Sequence, residues 1–162
     1  MALMSVARLT AGALIPSITV CIVSKCYATR YVLHYSWLAH IVDFEPSHTP
    51  HKYFGILAML CSAIHSACHV VIGILQRRPH HVVKDEMNLS GLVAFLLVLP
   101  VALPMSVGCL KERVTFETRK YLHMLFIPFM VALCFHGTRL KALGAVLLVW
   151  YLLDRFYFTT RM

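Results

Sequence analysis

Apolar residues in this chain come in long blocks. They do not alternate at the period of a half-buried strand, and they do not form the narrow stripe of a surface helix. The blocks cover residues 5–28, 51–75, 89–109, 117–137 and 142–158. Each is close to the roughly 20 residues that a helix needs to cross a bilayer. The pattern predicts an all-α integral membrane protein, a bundle of about five transmembrane helices forming a single domain over 1–162. The segment 29–50 is mixed and aromatic and ends in DFEPSHTP, where Pro46 and Pro50 mark a loop. Thr49 fits a helix N-cap, with Pro50 in the first helical position. QRRPHHVVKDEMN (76–88) and LKERVTFETRK (110–120) read as polar connections, the second running into the polar start of the fourth block, and GTRLK as a short turn. Pro100 and Pro104 predict a kink in the third block. The first block has a second reading as a signal peptide, because Arg8 precedes its hydrophobic stretch, although it lacks an A-x-A cleavage site.

Composition sharpens this picture. Hydrophobic residues make up 59% of the 162 and charged residues only 14%, and the mean hydropathy is +0.73. Soluble domains are nearer 45–50% apolar and about 25% charged. Five spans would nearly exhaust the chain and leave no room in it for a soluble catalytic domain. No Gly-rich nucleotide loop is present. The formal charge of +8 sits mostly between the apolar blocks, so it sets topology, with binding of anionic lipid head groups as the lesser reading, and suggests no nucleic-acid partner. With five spans, Lys25, Arg30, Lys52, Lys111, Arg113, Arg119, Lys120, Arg155 and Arg161 share one side. Arg77, Arg78, Lys84, Arg139 and Lys141 share the other. The excess places the C-terminus on the cytoplasmic side. Cys21, Cys26, Cys61, Cys68, Cys109 and Cys134 form no C-x-x-C pair, so neither a disulfide framework nor a zinc site is expected.

Histidine changes the picture most. Ionisable groups inside a bilayer are costly and usually functional. His51 and His65 are 14 residues apart in the second span, and His123 and His136 are 13 apart in the fourth. Either separation is roughly 20 Å along a helix. Two spans separated by one intervening span run in the same direction. His51 then shares a membrane depth with His123, and His65 with His136. Two stacked His–His pairs suit two six-coordinate haems, since a neutral imidazole nitrogen binds haem iron from each side. Ligands so far apart along the helix cannot share one zinc or copper ion, whose bonds are about 2 Å. At about 100° per residue, 14 steps return to within about 40° of the same face, and 13 do not. Pro128 offers a kink to absorb the misfit. His69 lies at i+4 from His65, as a propionate or supporting partner or as packing. His80 and His81 read as a solvated loop pair, and His34, His40 and His48 have no clear role.

These stretches resemble the haem-binding membrane domain shared by NADPH oxidases and ferric reductases. PHKYFGILAMLCSAIHSACHVVIG is similar to the first haem helix of that family, with its opening F-H-K position and its A-I-H-x-x-x-H run. TRKYLHMLFIPFMVALCFHG is similar to the second, with H-x-L-F and a closing L-x-x-H-G. LSGLVAFLLVLPVALPMS resembles the intervening span, and ALGAVLLVWYLLDRFYF the last one. The stretch from Arg8 to Cys26 resembles the span before the first haem helix. The resemblance implies that His51 and His123 ligate the haem nearer the cytoplasm and that His65 and His136 ligate the distal haem. It implies an aromatic between the haems at Phe129 and a basic residue near the distal haem at Arg8, for which a snorkelling charge is the other reading.

The family's usual first span has no counterpart here, and neither do its flavin and nicotinamide domains. The resemblance therefore implies either a fragment or a membrane subunit with its own donor. The haem membrane subunit of the bacterial periplasmic methionine sulfoxide reductase system is a similar short form. The expected function is transmembrane electron transfer through two haem b groups, as an oxidoreductase component. A flavoprotein or quinol would supply electrons on the cytoplasmic side, with FAD and NAD(P)H entering only through that partner. The acceptor opposite would be Fe(III), O2 or a redox protein. Membrane lipid and other membrane subunits are the remaining expected partners. One rival reading is an assembly subunit that keeps the scaffold with little or no redox role. Another is an ascorbate-driven cytochrome, a family that spreads its paired histidines over four helices.

Overall fold

A computed structural model describes residues 2–40, 48–76 and 86–161. Among these, all regular structure is helical. The first apolar block forms α1 (Ala2–Val23). The chain then turns and makes α2 (Tyr27–His34) and a single 3-10 turn at Trp37–His40. α3 (His48–Leu75) is the second block and α4 (Glu86–Ser106) the third. The short α5 (Gly108–Arg113) leads to α6 (Phe116–Met124), α7 (Phe126–Phe135) and α8 (Thr138–Arg161). His80, His81, Arg77, Arg78, Lys84 and Pro46 lie outside the described residues.

α1, α3 and α4 are long and apolar enough to cross a membrane. The expected fourth span is not one helix. Pro128 cannot donate to the Met124 carbonyl, and in an unbroken helix its ring would clash with that group. The chain breaks upstream of it, at Leu125, whose N–H bonds to Leu122 O at 3.1 Å. The fifth block is a 24-residue helix with charged residues toward both ends. By contrast α4 stays helical through both Pro100 and Pro104.

Local chemistry sets several boundaries differently from the expectation. α3 is already helical at His48, ahead of Thr49 and Pro50. The 110–120 connection is largely helical, because Thr115 caps α6 by accepting the Thr118 N–H at 3.3 Å. Residues 27–34 form a helix where a loop was expected. Its cause lies far away in sequence. The buried Asp154 of α8 accepts N–H bonds from Tyr27 at 2.9 Å and Ala28 at 2.7 Å. A carboxylate at a helix N-terminus satisfies orphan donors and complements the helix dipole. Trp150 adds an indole N–H bond to the Thr29 hydroxyl at 3.1 Å.

α1 packs along α3, α3 along α4, α4 along α7, and α7 along α8. The buried core is thin and runs between these helices, with Ile18, Ala58, Ala94, Val98, Met130 and Leu147 at its centre. Large apolar side chains cover the outside, among them Leu9, Leu75, Val146, Leu153 and Phe156. Such a surface is untenable in water and natural in lipid.

Candidate functional site

The four expected histidines meet in two pairs. The ring centres of His51 and His123 are 5.8 Å apart at an interplanar angle of 73°. Those of His65 and His136 are 6.1 Å apart at 87°. α3 carries one member of each pair. The α6–α7 segment carries the others, His123 inside α6 and His136 at the C-cap of α7.

Each ring is held from behind by a backbone carbonyl of a neighbouring helix. Nδ1 of His51 donates to Cys21 O at 2.8 Å, and Nδ1 of His65 donates to Ala7 O at 2.9 Å. On the other side Nδ1 of His123 donates to Val101 O at 3.2 Å, and Nδ1 of His136 donates to Met87 O at 2.8 Å. A carbonyl only accepts, so each Nδ1 carries a proton, and in the neutral ring the nitrogen left with a lone pair is Nε2. The two acceptors on α1 are 14 residues apart, as are the two on α4. That matches the spacing of His51 and His65 in an antiparallel register. The site is therefore two levels about 21 Å apart along the helices. Each level reads carbonyl, imidazole, gap, imidazole, carbonyl.

The 13-residue step from His123 to His136 misses a helical face by about 140° at 100° per residue. The break at Leu125 and the end of α7 absorb it. His136 leaves helical geometry with φ −85° and ψ 29°. Gly137 follows with φ 129°, a conformation that a side chain would strain. The kink expected at Pro128 thus occurs three residues earlier, where the proline disrupts the preceding turn.

The gap within each pair fits an axially ligated iron. Two metal–nitrogen bonds of about 2 Å separate facing nitrogens by about 4 Å and ring centres by about 6 Å. Among the described residues no group of three His, Cys, Asp or Glu converges on one point.

The remaining candidates sit around this frame. His69 lies beside His65, with ring centres 4.7 Å apart and planes tilted by 55°, on an exposed face of α3. Arg8 follows Ala7, whose carbonyl holds His65, and its side chain is exposed. Phe129 is buried between the positions of His123 and His136. Sequence reasoning missed the four carbonyls, which have no side-chain signature. It also missed Gly91. A Cβ on Gly91 would collide with Cε1 of His136 and lie 2.6 Å from its Nδ1. A glycine inside an apolar helix was the available signal, since it costs about 0.5–1 kcal/mol against alanine unless something needs the space. Cys21 contributes a second contact, with Sγ 3.4 Å from Nδ1 of His51.

A bundle of apolar helices, three of them long and apolar enough to cross a membrane, defines an integral membrane protein, and two imidazole pairs lie within it. The chain matches the family model described as ferric reductase like transmembrane component over residues 13–134. It belongs to that family of membrane proteins. The matched stretch includes His51, His65, His123, Gly91 and Phe129, while Arg8 and His136 lie just beyond its ends. No curated protein matches the chain. The family points to transmembrane electron transfer and to an oxidoreductase-related role.

Proposed function

We propose that this protein is a five-span membrane cytochrome that carries electrons across the bilayer between two bis-histidine b-type haems. His51 and His123 are the axial ligands at one level, and His65 and His136 those at the other. The observation that carries this reading is the common geometry of the four rings. Each donates Nδ1–H to a carbonyl behind it, and each faces a partner across about 6 Å, the span of two metal–nitrogen bonds. Imidazoles in hydrocarbon without such a task would be costly.

Bound there, haem supplies one-electron Fe(III)/Fe(II) exchange. The protein's share is orientation and tuning. The carbonyls fix the tautomer and raise the basicity of each ligand. The apolar helices would exclude water between the levels, and the buried Phe129 is the aromatic that would stand between them. His69 and Arg8 provide polar groups at the His65–His136 level, where an acceptor such as Fe(III), O2 or a redox protein would be reduced. The excess of basic residues supports a cytoplasmic side for the His51–His123 level and the C-terminus. A flavoprotein or quinol donates there.

The test is replacement of ligands by level. His51→Ala and His123→Ala should each remove the same haem and leave the other. His65→Ala and His136→Ala should remove the second. Equal loss of both haems from every variant, with the protein still folded, would contradict the pairing.

A further inference from the structure

The four carbonyls behind the histidines are not equivalent. Three of them also accept a hydroxyl from the residue three positions further along the chain. Ser90 donates to Met87 O at 2.9 Å, Thr10 to Ala7 O at 3.0 Å and Ser24 to Cys21 O at 3.0 Å. The fourth, Val101, has Pro104 at the corresponding position and no hydroxyl there. Ser and Thr commonly back-bond within helices. Ser17 and Thr19 do so on α1, toward Ala13 O and Ile15 O, two carbonyls with no bonded histidine. At Ala7, Cys21 and Met87 the hydroxyl instead competes with an imidazole N–H for one oxygen.

We propose that Thr10, Ser24 and Ser90 are positioning residues that set the reduction potentials of the two haems and bias electron flow toward the His65–His136 level. This rests on the bis-histidine reading above. A carbonyl that accepts strongly from Nδ1–H pushes the imidazole toward imidazolate, makes it a better donor and favours Fe(III). A hydroxyl on the same oxygen weakens that pull, so it favours Fe(II) and raises the potential. The His65–His136 level has two such hydroxyls and the His51–His123 level has one. Cys21 Sγ, 3.4 Å from Nδ1 of His51, is a second weak acceptor for that N–H and lowers the potential there further. Both differences run in one sense: electrons move downhill from the His51 level to the His65 level. Thr10 also bonds Val6 O at 2.9 Å, so its effect is divided and Ser90 has the larger one.

The experiment is redox potentiometry of the full-length, haem-loaded protein in nanodiscs, resolving both haems in wild type and variants. Ser90→Ala is expected to lower only the His65–His136 potential. The expected shift is about threefold in the reduction equilibrium, or about 28 mV at about 59 mV per tenfold for one electron. Thr10→Val lowers the same haem by less, and Ser24→Ala lowers only the other haem. Thr19→Val, the control for a hydroxyl on an unshared carbonyl, moves neither. Unchanged potentials, upward shifts, or equal shifts in all four variants would overturn the inference while leaving two haems in place. A folded protein that takes up no haem would overturn it together with the reading it rests on.

Discussion

His136 lies so close to the backbone of Gly91 that a methyl group there would collide with its imidazole. Gly91 is one turn along α4 from Met87, whose carbonyl accepts the His136 Nδ1–H at 2.8 Å. The helix thus offers His136 an acceptor and a vacant space on one face. Gly91→Ala should displace His136 and lower occupancy of the His65–His136 haem several-fold while sparing the other. Gly12→Ala is the control, because nothing lies within 4 Å of its added methyl. It should be neutral, or stabilising by about 0.5 kcal/mol through helix propensity. Haem content of the two variants checks both expectations.

Pro128→Ala restores a donor to the Met124 carbonyl and removes the ring that breaks the helix at Leu125. Such a change would ordinarily stabilise a helix by up to about 3 kcal/mol. Here it should straighten α6 into α7 and carry His136 away from His65. A variant with an unchanged or higher thermal midpoint but less haem at that level is the expected result. Two fully occupied haems would mean that the cap at His136 and Gly137 alone sets the register.

Much of this arrangement was legible in the sequence. The apolar blocks gave the main helices, and the spacing of His51, His65, His123 and His136 gave their pairing by depth. What spacing could not supply was the helix behind each ring, because a carbonyl acceptor leaves no mark in side-chain identity. The break at Leu125 was displaced from Pro128 because proline disturbs the turn before it, not its own position. α2 escaped notice because its cap is Asp154, more than 120 residues away in sequence. Local propensity cannot register a cap delivered by tertiary packing.

Asp154 supplies a third prediction. It is 5% exposed and holds two N–H groups at the start of α2. Asp154→Ala leaves both donors without their charged acceptor, at a cost of about 2 kcal/mol or more. The thermal midpoint should fall, and trypsin should cut faster after Arg30 in the loosened α2. Asp154→Asn, which retains one accepting oxygen, should fall in between. Proteolysis at wild-type rates in Asp154→Ala would show that Trp150 and Thr29 suffice to hold the helix.

The central claim is that two imidazole pairs each hold a haem, and haem stoichiometry tests it most directly. The full-length protein, expressed with ample haem and purified in mild detergent, should give a low-spin b-type reduced-minus-oxidised spectrum. A pyridine haemochrome assay should then return two haem b per chain. A folded, haem-supplied preparation that binds none would contradict the account and leave the four histidines without the task assigned to them.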